Sequence, residues 1–210
     1  MLGAIIGDIV GSVYEFSNIK TKDFELFKPN CRFTDDTIMT CAVADAIMNG
    51  GSESDYIRSM KKYGRMYPHA GYGGRFRGWY IEYSTPIDSD PDECKRRIKE
   101  HIEKEYGYDL SMPSEEIFKD YKFDETCQGS VPQAIIAFLE STDFEDAIRN
   151  AISIGGDSDT IAAITGSIAE AAYGIPEEMK EKALSYLDEP LKDILRRWKK
   201  YMRSDESWMK

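Results

Sequence analysis

The chain has 210 residues, 41% of them hydrophobic and 31% charged, which suits one domain with its own apolar core and no disulfide or zinc support. A formal net charge of -11 disfavours nucleic-acid phosphate as a partner, since no basic face large enough to offset it is visible. The four cysteines (Cys31, Cys41, Cys94, Cys127) lack paired spacing and the histidines His69 and His101 lie far apart, which argues against structural zinc and a Cys-His nucleophile and fits a reducing, cytoplasmic setting.

Helical periodicity recurs along the chain and alternating strand patterns are nearly absent, so the expected class is all-α, one domain over residues 1–210. The opening run Met1 to Asp8 is too short and too acidic for a signal peptide, and no other apolar run is long enough for a bilayer. The spacing predicts helices at about 2–15, 35–49, 53–66, 91–106, 114–120, 131–140, 143–154, 158–173, 177–187 and 190–203. Pro91, Pro113, Pro132 and Pro176 suit first turns, and Gly50, Gly107 and Gly174 suit positions just past helix ends. The segment at 92–105 reads as a solvated face of ion pairs, whereas Ile161 to Tyr173 is small and apolar nearly all round and reads as a central, closely packed helix. The tail from Arg203 to Lys210 is expected to fray unless Trp198 and Trp208 dock it.

Two short acidic clusters stand out, Phe33-Thr34-Asp35-Asp36-Thr37 and Gly155-Gly156-Asp157-Ser158-Asp159-Thr160, each opening a run of small apolar residues. Consecutive helical residues point about 100° apart, so these side chains converge on one target only from a turn or a helix start. Helix capping alone accounts for one side chain per cluster. Each cluster offers a Thr and two Asp, and the two glycines permit a tight turn with close ligand approach. If the clusters meet, their carboxylates need a shared cation, and oxygen-only ligands suit Mg²⁺ or Mn²⁺.

Five blocks in order then resemble the ADP-ribosylglycohydrolase (dinitrogenase-reductase-activating glycohydrolase-like) family: Gly7 to Glu15, Phe33 to Thr37, Gly71 to Gly74, Gly129 to Ile135, and Gly155 to Gly166. The resemblance covers residues 1–78 and about 107–175. It implies an all-α orthogonal helical bundle with a binuclear Mg²⁺ or Mn²⁺ centre at the base of an ADP-ribose cleft, acting on ADP-ribosylated side chains or small acceptors. By motif, Thr34, Asp35, Asp36, Asp157, Asp159 and Thr160 would hold the metals, and Glu15 would lie beside them. The residues themselves leave the proton acceptor open among Asp35, Asp36 and Glu15. Backbone N–H groups of Gly71, Gly73 and Gly74, and the Gly129-Ser130-Val131 turn, would meet the substrate, with Arg75 or Arg77 offering charge. Tyr72, Phe76, Trp79 and Tyr80 suit either stacking on adenine or core packing.

Between Trp79 and Lys95 the family pattern breaks off. An Asn-Gly-Ser/Gly…Met-Arg motif and a later His-containing segment, which line the adenosine side in such proteins, are absent, as if about two helices had been removed near 80–95. Three readings follow: an active hydrolase with a more open cleft, a binding module or pseudoenzyme retaining metals, and a two-metal phosphohydrolase acting on a nucleotide-like ester. A lost segment would expose apolar surface, so a homo-oligomer is also expected.

Overall fold

Gly3, Gly7 and Gly11 recur at every fourth position, so a helix built on them carries one strip without side chains. The computed structural model describes residues 1–72 and 91–204. Among them it contains ten helices and no strand: α1 (Leu2–Gly11), α2 (Asp35–Met48), α3 (Glu53–Met66), α4 (Pro91–Tyr106), α5 (Ser114–Asp120), α6 (Cys127–Leu139), α7 (Phe144–Ile154), α8 (Ser158–Tyr173), α9 (Glu177–Tyr186) and α10 (Glu189–Ser204). The all-α class is therefore observed, and no described helix is long and apolar enough to cross a membrane.

The glycine strip of α1 lies on α8 so closely that the two backbones touch. A Cβ on Gly3 would sit 2.1 Å from the Gly166 carbonyl oxygen, one on Gly7 2.0 Å from that of Ala162, and one on Gly11 2.3 Å from Asp159 Cα. Real side chains tolerate none of these separations, so the strip fixes the crossing. It also sets the end of α1 against the start of α8. α6 and α7 pack on α8 as well, enclosing Ile5, Ile9, Ala134, Phe138, Ile148, Ile152 and Ile161, all nearly inaccessible to water. Polar side chains within this core are satisfied across helices: Asn150 Nδ2 donates to the Ala137 carbonyl and Thr165 Oγ1 to that of Ala134, each at 3.0 Å.

α2 extends the bundle, resting on α1 and α3 and receiving α10. Trp198 of α10 packs against the core from a half-buried position, while Trp208 lies outside the described residues. The charged helix α4 carries pairs such as Arg96–Glu100 at 2.5 Å and Lys99–Glu103 at 3.9 Å, the solvated face its composition predicts. Gly107 and Gly174 follow α4 and α8 with φ of +69° and +70°, the left-handed exit expected there.

Two boundaries differ from expectation. α1 stops at Gly11, four residues short of Glu15, because the chain tightens where it meets α8: Ser12 Oγ donates to the Ile9 carbonyl at 2.8 Å and the Tyr14 N–H to that of Gly11 at 2.8 Å. α6 starts at Cys127 and not at 131, because Thr126 Oγ1 accepts the Gly129 N–H at 3.1 Å and nucleates the helix earlier. Pro132 thus sits inside α6 instead of at its first turn, where it costs one backbone bond.

Candidate metal centre

Asp8 is the only ionisable side chain in α1, and it is fully buried. A carboxylate so placed must be hydrogen-bonded. Its oxygens accept from the Thr34 N–H at 2.8 Å, Thr34 Oγ1 at 2.5 Å and the Thr37 N–H at 3.1 Å. Those donors are the orphaned amides of a helix start, so Asp8 docks the N-terminus of α2 onto α1. Thr34 is the N-cap, its Oγ1 accepting from the Asp36 N–H at 3.4 Å, and Asp35 and Asp36 form the first turn.

The second corner is built by a turn. α7 ends at Ile154, and Gly155 and Gly156 follow with φ of +77° and +72°, reversing the chain into α8. Asp157 occupies the N-cap of α8, yet its side chain makes no capping bond, while Asp159 and Thr160 lie in the first turn. Capping therefore explains Thr34 but not Asp157. Thr160 Oγ1 donates to Asp36 Oδ2 at 2.9 Å and joins residues 124 positions apart.

The joined corners form two acidic groups. Asp8, Asp36 and Asp159 each present an oxygen within 4.8 Å of the others, and so do Glu15, Asp157 and Asp159. Asp159 belongs to both. Among the described residues no lysine or arginine forms an ion pair with any of the five.

The electrostatics follow from burial and like charge. Burial pushes the Asp8 carboxyl up to about 6, against the pull of the Thr34 and Thr37 donors. Burial, then the charges of Asp36, Asp8, Glu15 and Asp157, pushes Asp159 up to about 10. Asp36 is raised well above the ordinary range by burial and by Asp8 and Asp35, and Asp157 is raised chiefly by burial. Glu15, half-buried on the turns after α1, is pushed up to about 7 by burial and by Asp157 and Asp35, with Arg32 opposing. In the absence of a cation Asp159 holds a proton at neutral pH and Glu15 is poised between its two forms.

Of the ligands expected from sequence, Asp36, Asp157, Asp159 and Thr160 come together directly. Thr34 turns its hydroxyl to Asp8, and Asp35 stands at the edge of the group, its Oδ1 3.2 Å from where a Cβ on Gly71 would lie. Gly71 has φ of +110°, so both its conformation and that contact suit glycine. Gly73, Gly74, Arg75, Phe76, Arg77, Trp79 and Tyr80 lie outside the described residues. On the far side, Gly129, Ser130 and Val131 form the first turns of α6. Ser130 Oγ donates to the Asp124 carbonyl at 2.8 Å and Val131 is buried in the core, so both side chains are engaged within the protein. Tyr121 connects this turn to the metal corner. Its ring fills the space where a Gly156 Cβ would lie, 2.2 Å away, and its hydroxyl donates to the Gly129 carbonyl at 3.0 Å.

Asp8 and Tyr121 were not singled out from sequence. The signal for Asp8 was present, an acid alone in the apolar run Leu2–Gly11. Tyr121 carries no such mark among thirteen tyrosines.

Residues 1–95 and 77–206 match the family model described as ADP-ribosylglycohydrolase. The two matched stretches overlap across 77–95, where the expected motifs break off. A 62-residue stretch is 40% identical to an uncharacterized protein of Archaeoglobus fulgidus, covering 28% of this chain and a fifth (20%) of that protein's length.

Proposed function

The chain belongs to the ADP-ribosylglycohydrolase family, and we propose that it is a metal-dependent hydrolase cleaving the glycosidic bond between ADP-ribose and a protein side chain or small acceptor. The observation that carries this reading is the pair of carboxylate groups that share Asp159. Five acids around two points, with no basic side chain among the described residues paired to them, form a donor set for two hard cations. Mg²⁺ and Mn²⁺ both fit oxygen ligands of this kind. Asp8, Asp36 and Asp159 would hold one ion and Glu15, Asp157 and Asp159 the other, with Thr34, Asp35 and Thr160 completing the set. When bound, such ions lower the pKa of an attached water, orient vicinal hydroxyls and offset developing negative charge.

The protein's own residues then divide the remaining work. The Thr160 to Asp36 bond fixes the two corners at one spacing, so the ribose is oriented by a rigid floor. Glu15 is half-buried and offers one carboxylate oxygen to the second group, and its other oxygen would accept a proton from the attacking water and return it to the leaving group. The C1″–acceptor bond breaks as the water oxygen bonds to C1″. Gly71 and the Gly129 turn would offer backbone to the rest of the ADP-ribose.

The deciding assay is release of free ADP-ribose from ADP-ribosylated arginine and serine peptides with Mg²⁺ or Mn²⁺. The proposal expects release that is lost in Asp35→Ala and Asp36→Ala with the helical circular-dichroism spectrum unchanged. Tight ADP-ribose binding without release would make the chain a binding module, and phosphate release from nucleotide esters would make it a phosphohydrolase. Free Cys31, Cys41 and Cys127 agree with a cytoplasmic setting. A homo-oligomer completing the cleft would register as a dimer in sedimentation.

A further inference from the structure

The turn Gly155-Gly156 that presents Asp157 has no helix of its own to stiffen it, yet the segment after Glu15 grips it. Asn18 Oδ1 accepts the Gly156 N–H at 2.8 Å. Asn18 Nδ2 faces the carbonyls of Tyr14 at 2.6 Å, Glu15 at 2.9 Å and Gly156 at 3.0 Å, and Ser158 Oγ at 3.4 Å. Three carbonyls on one side and an N–H on the other fix the orientation of the amide. Two residues on, Lys20 Nζ donates to the Ile154 carbonyl, at the C-terminal end of α7. The glycines are shaped to receive this strap: a Cβ on Gly155 would lie 2.7 Å from Lys20 Nζ and 3.3 Å from Asn18 Cβ.

We propose that Asn18 is a positioning residue, whose carboxamide holds the backbone of Glu15 and that of Gly156 at one spacing, and so sets Glu15 against Asp157 and Asp159. This rests on the metal-dependent reading of the site. Asn18 belongs to neither carboxylate group, and it acts through the backbone of Glu15, three residues before it, and that of Gly156, 138 residues after it. Glu15 follows the end of α1 by four residues and lies in bends, its N–H tied to the Gly11 carbonyl at 3.2 Å and its own carbonyl facing Asn18 Nδ2. Asn18 itself lies at the surface, so its removal opens little apolar core.

The test compares Asn18→Ala and Asn18→Asp with the wild type by calorimetric Mn²⁺ titration, thermal melting and ADP-ribose release. Asn18→Asp keeps the acceptor for the Gly156 N–H and loses both donors. The proposal expects Mn²⁺ affinity at one of the two sites to fall about 10- to 100-fold in both variants, the range for groups that orient metal ligands, since Asn18→Asp also releases the Glu15 carbonyl. It also expects kcat to fall more than KM rises, since Glu15 is misplaced while the substrate floor persists. A lower melting temperature with unchanged Mn²⁺ affinity and kcat would make Asn18 merely structural and overturn the proposal. So would failure of both variants to fold. If the wild type itself binds no Mn²⁺, the metal-dependent reading falls and the positioning role with it. Wild-type binding that the variants share removes the positioning role alone.

Discussion

Helix α2 carries a half-buried aspartate in its first turn and a fully buried one near its other end, and the two ends are treated in opposite ways. Asp45 is 3% exposed, yet Lys62 Nζ lies 3.2 Å and Arg197 2.9 Å from its carboxylate, with Ser59 Oγ at 3.4 Å. Burial pushes its carboxyl up, but the cations of Lys62 and Arg197 outweigh burial and hold it below the usual range. About 14 Å along the helix, at nine residues of rise, Asp36 meets Asp8 and Asp159 with no basic partner among the described residues and is raised. Burial pushes both carboxyls up, so it is the supply of positive charge among the described residues that differs. One end is closed by the protein's own side chains and ties α2 to α3 and α10. The other, on the proposed function, is left for cations from solution.

That contrast is broken or sharpened first by paired substitutions. Asp159→Asn should lower Mn²⁺ affinity more than about 100-fold, beyond the range for residues outside the ligand shell, and should stabilise the metal-free protein at pH 8. Asp45→Asn should leave metal affinity unchanged and destabilise by about 1–3 kcal/mol, since Lys62 and Arg197 lose their partner. Denaturant unfolding and calorimetry read both, and equal signs of stability change would refute the contrast. Next in size, Gly7→Ala places a Cβ 2.0 Å from the Ala162 carbonyl oxygen and must part α1 from α8. A loss of about 2–3 kcal/mol is expected, together with weaker Mn²⁺ binding as Asp8 separates from Asp159.

The pH dependence gives a third effect, of comparable size. Asp8 has an ordinary carboxyl near 3.8 when unfolded and about 6 when folded, so the folded state binds more protons between these values. Stability of the metal-free protein is then greatest below about 4 for this group and is lost as pH rises through 6. Asp159, pushed up to about 10, extends the loss through neutrality. Asp8 alone accounts for a loss of up to about 3 kcal/mol. Thermal melting without metal should therefore fall from pH 5 to pH 8, and added Mn²⁺ should raise the melting temperature more at pH 8, where protons compete less. The smallest effect belongs to the other end of α2. Lys62→Gln, at a side chain half exposed to solvent, should cost under about 1 kcal/mol and less still in high salt.

The fold and one face of the site were legible because local rules agreed with the tertiary outcome. Helix periodicity placed eight of the helices within a residue or so of their observed ends, and the two acidic clusters do open α2 and α8. α1 and α6 were misjudged where a local device outranked periodicity, Ser12 closing the first helix early and Thr126 starting the second ahead of Pro132. Asp8 escaped notice because its role depends on a neighbour 26 residues away, the Thr34 amide. Asn18 and Tyr121 are more hidden still. Their work lies in gripping Gly156, and only the assembled turn reveals it.

The most direct measurement counts divalent ions bound per chain, by native mass spectrometry and calorimetry with Mn²⁺ at pH 8, for the wild type and Asp159→Asn side by side. The account predicts two ions on the wild type and loss of both in the variant, because the two carboxylate groups share Asp159. A wild type that binds no ion, or a variant that keeps both, would contradict it.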